Sequence, residues 1–290
     1  MMNIERKVAK LFTSNCLNAI ANNDFSSIEK LKIDEIAQHF EAINYLDLYE
    51  RSYSFLEKNY RNEYIYKNMI ARRILMGRHS LKSSVLLSEF RVGTNKADLV
   101  LLNGCSTCYE IKTEYDSLIR LEDQLSSYTQ LFNKVFVVCA SKMIVDVYHL
   151  IPDNVGIIEF TDTCKLKTIR EPIEKCSIDL ELMMKSLRKE EYLFIAEKIY
   201  KLKIDVPNTQ IFDYCFNIIN KAEPEFVNKL FLKTLKKTRK NNVEAINSLP
   251  IALTNALISF KFSNNNIQSL KKIFMENNSY VLPNFEGKTQ

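Results

Sequence analysis

Apolar side chains recur at three- and four-residue intervals near the start of the chain and again in its C-terminal part. The first stretch is illustrated by Leu46, Tyr49, Tyr53 and Leu56. Such spacing lines one face of a helix with apolar side chains, so residues 1 to about 76 are predicted to be mainly helical. From about Asp179 the helical spacing returns and continues toward the C-terminus, with breaks at proline residues.

The middle of the chain follows a different pattern, in which short apolar and β-branched runs alternate with turn residues. Runs of this kind predict strands at residues 85–92, 97–102, 108–113, 134–140 and 154–160. Asn103-Gly104 separates the second run from the third and is a strong hairpin signal. Helices are predicted at residues 117–132, with Asp116 as N-cap, and at residues 142–150.

The order of these elements predicts an α/β fold. A mixed sheet flanked by helices would be joined to an N-terminal helical segment and an all-α C-terminal region. We expect three regions, namely residues 1–54, 55–178 and 179–290. The change of pattern near residues 165–180 marks the last of these boundaries.

The composition is typical of a globular protein from a reducing compartment. Of 290 residues, 46% are hydrophobic and 26% are charged, and only 5 Gly and 6 Pro are present. No apolar run reaches the ~18–20 residues that cross a bilayer, so we expect no membrane partner. The 7 Cys are scattered and odd in number, which does not indicate a disulfide framework. We therefore expect a cytoplasmic protein.

Positive charge is concentrated in the C-terminal region. The formal net charge is +5, of which residues 181–290 carry +6 and the first 180 residues −1. The densest basic run includes Lys233, Lys236 and Lys237, which are candidates for binding the phosphates of a nucleic acid. A solvated lysine-rich helix face gives the same pattern, so charge alone leaves both interpretations open.

Three charged residues at the predicted hairpin are candidates for a metal-binding site. Glu110 and Lys112 are two positions apart in a strand and leave the same face, and strand pairing can bring Asp98 alongside Glu110. Two carboxylates and an ammonium on an apolar sheet are costly to desolvate unless a metal or an ion pair neutralises them. Carboxylate oxygens suit Mg²⁺ or Mn²⁺. The alternative is a surface hairpin on which Glu110 and Lys112 form a solvent-screened ion pair.

The helix predicted after this hairpin carries a polar stripe. Arg120, Gln124 and Tyr128 follow one another at i,i+4 spacing, while leucine residues occupy another side of the helix. The polar stripe can therefore face the same site as Glu110 and Lys112.

Together these motifs resemble the PD-(D/E)XK nuclease superfamily. Asp98 stands at the aspartate position, and Glu110-Ile111-Lys112 matches the E-x-K motif. The segment from Gln124 to Tyr128 matches the Q-x-x-x-Y helix motif of the branch that contains the RecB nuclease domain and lambda exonuclease. A bacterial group of nucleases in that superfamily is similar at residues 62–68, 89–93, 96–99 and 109–113. The resemblance covers about residues 55–190 and implies a restriction-endonuclease-like fold.

The resemblance also implies roles for individual residues. Asp98 and Glu110 would bind the divalent metal, Mg²⁺ or Mn²⁺, and the Ile111 carbonyl would complete the protein ligands. Lys112 would lie beside the attacking water. Ala97 precedes Asp98 where the motif name has proline, which makes the match less diagnostic.

Residues on the two neighbouring helices receive roles by the same resemblance. Gln124 and Tyr128 would position the substrate phosphate or the catalytic residues, and Arg120 would help to hold the phosphate. Glu63 matches an acidic residue that often adds a further metal ligand. Helix periodicity equally allows Glu63 to pair with Lys67 at i,i+4.

The sequence thus predicts a metal-dependent nuclease that hydrolyses phosphodiester bonds in nucleic acid, with DNA favoured as substrate. The alternative is a catalytically silent module that binds nucleic acid or serves in assembly, in a phage-defence or mobile-element system. The helical C-terminal region could also hold a protein partner or form a homodimer. Cys105 and Cys108 form a lone C-x-x-C that is interpreted as coincidental, because no second pair stands at zinc-ligand spacing.

Overall fold

The computed structural model describes residues 4–73 and 83–276, and it divides the chain into two compact units. The first unit combines the N-terminal residues up to 74 with residues from 242 onward. The second unit is formed by residues 75–241 and contains the sheet. Within the described residues, no helix is long and apolar enough to cross a membrane.

The N-terminal part of the first unit is helical, as the apolar spacing predicts. Its helices are α1 (Ile4–Ala9), α2 (Ser14–Ala21), α3 (Phe25–Lys30), α4 (Ile33–His39), α5 (Tyr45–Asn59) and α6 (Glu63–Ile70). Short polar side chains start several of them, and the Asn62 side chain accepts from the Ile65 N–H at the start of α6. The Tyr49 hydroxyl of α5 donates to the Leu11 carbonyl at 2.7 Å inside the core of this unit.

The second unit is built on a six-stranded mixed sheet. Its strands are β1 (Val85–Val92), β2 (Asn95–Asn103), β3 (Cys105–Lys112), β4 (Lys134–Ala140), β5 (Gly156–Phe160) and β6 (Leu166–Arg170), in that spatial order. The β3–β4 and β4–β5 pairs are parallel, and the other pairs are antiparallel. The predicted α/β class and mixed sheet are therefore confirmed.

The β2–β3 hairpin is tighter than the pattern suggests. Asn103 pairs with Cys105 around Gly104, whose φ of +73° suits glycine at a tight turn. Strand β3 starts three residues earlier than predicted, because residues 105–107 pair with β2. The buried Ser106 hydroxyl is satisfied there by donating to the Asn133 Oδ1 at 2.9 Å. The C-x-x-C cysteines consequently lie within β3.

Helix α7 (Leu121–Leu131) packs on one face of the sheet, and α8 (Ile144–Leu150) follows β4. The prediction that Asp116 caps this helix is wrong. Its carboxylate accepts from the Thr113 N–H at 2.8 Å and the Thr113 hydroxyl at 2.7 Å, which closes the loop after β3. The helix begins after Arg120, which makes no side-chain capping bond.

The C-terminal helices are shared between the two units, unlike the predicted division at residue 178. Four helices belong to the sheet unit: α9 (Leu180–Ser186), α10 (Lys189–Tyr200), α11 (Ile211–Ile219) and α12 (Pro224–Thr238). Met183, Ile195 and Phe231 of these helices are fully buried in one core with Leu121 of α7. That shared core explains why the sheet unit extends to residue 241.

The last helices belong to the first unit. They are α13 (Val243–Ser248), α14 (Thr254–Ser259) and α15 (Asn264–Lys271). Asn68 of α6 donates to the Ile251 carbonyl at 3.1 Å and accepts from the Asn255 N–H at 2.8 Å. These buried hydrogen bonds join segments that are far apart in sequence.

Candidate functional site

Glu110 and Lys112 lie side by side near the end of β3, on the face that α7 covers. Alternation along the strand places them on the side of Cys108, which is buried in the core beneath α7. The Lys112 Nζ donates to the Glu110 Oε1 at 2.9 Å, and the two side chains are only 8% and 2% exposed. The pair is therefore buried, which excludes the solvent-screened ion pair considered as its alternative.

One oxygen of this pair has no partner within the part of the chain that the structure describes. The Glu110 Oε2 is buried without a hydrogen bond. Burial raises the pKa of the Glu110 carboxyl, and the charge of Lys112, with smaller contributions from the nearby Tyr128 and Gln124 side chains, opposes that rise. A buried carboxylate oxygen with no donor is costly unless something outside the chain satisfies it.

Helix α7 supplies two of the predicted polar contacts. The Lys112 Nζ also donates to the Gln124 Oε1 at 2.9 Å, so Gln124 holds the ammonium from the helix side. The ring of Tyr128 is fully buried, and its hydroxyl donates to the Lys96 carbonyl at 2.7 Å. Burial and the nearby charge of Glu110 raise the pKa of Tyr128. Arg120 is exposed at the start of α7 and forms no ion pair with another described residue.

Asp98 reaches across from the neighbouring strand. The pairing of Leu99 with Tyr109 places Asp98 beside Glu110 in register. Its Oδ2 accepts from the Ile111 N–H at 2.7 Å, so its carboxylate lies against the backbone between Glu110 and Lys112. The structure thus shows Ile111 contributing an N–H to this arrangement, whereas the role of its carbonyl as a metal ligand stays a prediction.

Glu89 on β1 is a neighbour of Asp98 to which the sequence analysis assigns no role, although it begins one of the segments that resemble the nuclease group. The pairs on either side of it, Ser88 with Leu99 and Phe90 with Ala97, place it opposite Asp98. A carboxylate oxygen of Glu89 lies within 4.8 Å of one from Asp98. Glu89 has a φ of +54°, an uncommon value for a non-glycine residue in a strand. The resemblance at residues 89–93 and the register of the β1–β2 hairpin are the two signals that could have placed it.

Glu63 belongs to the other compact unit. It is the first residue of α6 and pairs with Lys67 at 2.5 Å, with Glu63 56% exposed and Lys67 6% exposed. The ion pair suggested by helix spacing is therefore present, and a role for Glu63 as a metal ligand stays a prediction.

Asp98 and Glu89 have the chemistry that a hard divalent cation requires. Carboxylate oxygens are the donors that Mg²⁺ and Mn²⁺ prefer, and these two residues bring theirs within 4.8 Å of each other, a close group that does not include Glu110 of the next strand. The unpartnered Oε2 of Glu110 is the observation that favours a ligand beyond the protein. The carboxylate ligands that such a site requires are therefore present.

The predicted phosphate-binding lysines lie on α12. Lys233 and Lys237 are exposed and Lys236 is half-buried. The Lys237 Nζ lies 4.7 Å from the ring centroid of Phe194, and the Lys198 Nζ lies 5.4 Å from the same centroid. Two ammonium groups therefore share one aromatic ring on this surface.

Arg239, at the end of the same basic run, has a different position. Its Nη2 pairs with the fully buried Glu191 Oε2 at 2.5 Å, and its Nε donates to the Oε1 at 2.8 Å. This bidentate pair joins the end of α12 to α10, so Arg239 is structural and is not part of a phosphate-binding surface.

Comparison with known proteins relates the chain to a phage protein. The family model described as bacteriophage P4 protein cII matches residues 56–281, which is most of the chain. The chain belongs to the bacteriophage P4 protein cII family. Every candidate site residue from Glu63 to Lys237 lies within the range that matches this family.

Among individual relatives, Protein cII of Enterobacteria phage P4 is 37% identical over 82 residues. That alignment covers 28% of this cII-family chain and 31% of the phage protein. Among solved structures, SPO1766, a protein of unknown function from Silicibacter pomeroyi, matches with 14% identity and a TM-score of 0.29. It aligns with 43% of this chain, over 87% of its own length.

Proposed function

We propose that the sheet unit is a metal-dependent nuclease that hydrolyses phosphodiester bonds in nucleic acid, with DNA as the favoured substrate. The observation that carries this proposal is the buried Glu110–Lys112 pair with its unpartnered Glu110 Oε2, next to the carboxylate of Asp98. A protein that needed only a stable sheet would gain by placing apolar side chains there, because buried ion pairs rarely add net stability.

The proposed roles follow from the contacts of each residue. Asp98 and Glu110 would hold Mg²⁺ or Mn²⁺, and Glu89 is close enough to Asp98 to contribute. The bound cation would polarise the scissile phosphate and lower the pKa of a water molecule. Lys112, which donates to both Glu110 and Gln124, would hydrogen-bond that water and offset negative charge on the phosphate.

Residues of α7 and the surface would bind the rest of the substrate. Arg120 is exposed beside the loop that follows Lys112 and can pair with a phosphate, since its guanidinium has no ion-pair partner among the described residues. Lys233, Lys236 and Lys237 would add affinity that is independent of base sequence. The phage origin of the relative favours a role in a mobile element or in defence against one.

A cleavage assay tests the nuclease proposal directly. Linear, circular and single-stranded DNA and structured RNA would be incubated with Mg²⁺ or Mn²⁺, and cleavage of the circular substrate would identify an endonuclease. Asp98→Asn and Lys112→Met should each lower the rate at least about 100-fold. Asp153→Asn and Lys134→Met are matched controls in the same sheet unit, because both residues form only exposed or half-exposed ion pairs.

The rival interpretation is a silent module that binds nucleic acid or assembles without hydrolysing. It is favoured by the hydrogen bond that already engages Asp98 with the Ile111 N–H. Calorimetric titration with Mn²⁺ separates the two, because the nuclease proposal requires metal binding that Glu110→Gln weakens. The absence of metal-dependent heat from the wild-type protein, together with the absence of cleavage, would support the silent module.

A further inference from the structure

The loop that connects β3 to α7 exposes two large apolar side chains next to the candidate site. Tyr115 is 55% exposed and Ile119 is 90% exposed. Both lie within eight residues after Lys112, and the exposed guanidinium of Arg120 follows directly. Removal of exposed apolar surface from water is favourable, so a ligand that covers Ile119 and the exposed part of Tyr115 would gain binding free energy.

This loop is held in place at both ends. On one side Asp116 accepts two hydrogen bonds from the buried Thr113. On the other side Leu118 packs against the core, and Leu121 is fully buried. The exposed apolar side chains are therefore presented by an anchored segment, which lowers the conformational entropy lost when a ligand binds.

The side chains of Tyr115 and Ile119 are suited to contact the bases of a nucleic acid. The apolar surfaces of an isoleucine side chain and a tyrosine ring gain most from base faces, which are apolar and stack on aromatic rings. In an intact duplex those faces are covered by neighbouring bases. Apolar side chains can therefore use them only where bases are unstacked, at a strand end or in a single strand.

We propose that Tyr115 and Ile119 form a contact surface for unpaired bases of the substrate, so that the site acts on single-stranded segments or frayed ends. This inference rests on the proposed function for its choice of nucleic acid as the ligand. In this arrangement Arg120 would pair with a phosphate next to the base that contacts Tyr115.

The chain has no tryptophan, which allows a direct test. Tyr115→Trp would introduce a single reporter, titrated with oligothymidylate and separately with a blunt-ended hairpin duplex. Ca²⁺ would replace Mg²⁺ in this titration, so that the nucleic acid is bound without being cleaved. Ca²⁺ also takes oxygen ligands but with looser geometry. We expect quenching of the fluorescence by the single strand at lower concentration than by the duplex. Tyr148→Trp, at a 51% exposed position on α8, is the control and should respond to neither.

Affinity measurements provide a second readout. Ile119→Ser should weaken binding of the single strand about tenfold, because the apolar contact between its side chain and a base face is lost. Duplex affinity should be unchanged. Ile173→Ser is the matched control, because Ile173 is 65% exposed in the same unit and far from Lys112 in sequence. Both substitutions replace exposed side chains, so neither should impair folding.

The possible results separate this inference from the nuclease proposal. Cleavage in Mg²⁺ without quenching of the reporter would overturn the base-contact surface and leave the nuclease intact. Quenching without cleavage would support the surface and overturn the nuclease. Equal quenching by duplex and single strand would overturn the preference for unpaired bases. A fluorescence change that depends on protein concentration alone would show that a second copy of the chain covers this surface, which also overturns the inference.

Discussion

Removal of the Lys112 ammonium should destabilise the sheet unit far more than removal of an ordinary surface lysine. The Nζ lies 2.9 Å from the Glu110 Oε1, a separation at which opposite charges attract by about 6 kcal/mol at an effective dielectric constant of about 20. In Lys112→Met that attraction is lost and the Glu110 carboxylate stays buried without compensation. Loss of one partner of a buried pair costs about 3–5 kcal/mol in measured cases, and we expect a loss in this range.

The measurement is urea-induced unfolding at pH 7, followed by far-ultraviolet circular dichroism. Lys185→Met is the matched control, because Lys185 and Glu181 form an ion pair at 2.5 Å with side chains 56% and 62% exposed. That control should cost about 0–1 kcal/mol. The double variant Glu110→Gln/Lys112→Met should be less destabilised than the sum of its single variants, since no uncompensated charge remains. A cost below about 1 kcal/mol for Lys112→Met would refute the reasoning.

Three further predictions concern other contacts. Burial disfavours the charged form of Glu191, but hydrogen bonds led by that from Arg239 outweigh burial and lower its pKa. The stability that Glu191 contributes is therefore present above the unfolded-state pKa of about 4.3 and lost as pH falls through the folded-state pKa. Urea midpoints of Glu191→Gln and wild type should differ most at neutral pH and converge in acid. Tyr128→Phe removes the 2.7 Å hydrogen bond to the Lys96 carbonyl and should cost about 0.5–1.5 kcal/mol of unfolding free energy in the same assay. Lys237→Ala should reduce the slope of log affinity for DNA against log salt concentration by about 1, measured by fluorescence anisotropy.

Matched substitutions at exposed positions of the same unit serve as controls for these three predictions. Glu181→Gln, Tyr148→Phe and Lys167→Ala change the same residue types at exposed sites. A constant stability difference between Glu191→Gln and wild type at all pH values would contradict the linkage argument. If Lys237→Ala and Lys167→Ala change the slope of log DNA affinity against log salt concentration equally, α12 is not a specific phosphate contact.

The sequence by itself determined the helices of the N-terminal part and the central strands. Strands 85–92 and 134–140 were predicted with the bounds that the structure shows. The second is a nearly continuous apolar and β-branched run, and the first mixes apolar with polar residues, a composition typical of a partly exposed strand. Alternation also placed Glu110 and Lys112 on one face, and helical spacing indicated that Gln124 could approach them.

Tertiary structure alone decided the features that depend on partners distant in sequence. Strand β6 has three exposed residues, so no apolar pattern marks it, and pairing with β5 creates it. Glu89 comes close to Asp98 through the register of β1 against β2. Arg239 stands in a lysine-rich run, yet Glu191 on another helix draws it into a buried ion pair.

The physical reason is the range over which each effect acts. Hydrophobic periodicity and turn chemistry act over a few residues and can be read along the chain. Burial of a charge, the register between strands and the choice of a hydrogen-bond partner depend on which segments meet after folding. Asn68 illustrates this, because its two partners lie more than 180 residues away in sequence, at residues 251 and 255.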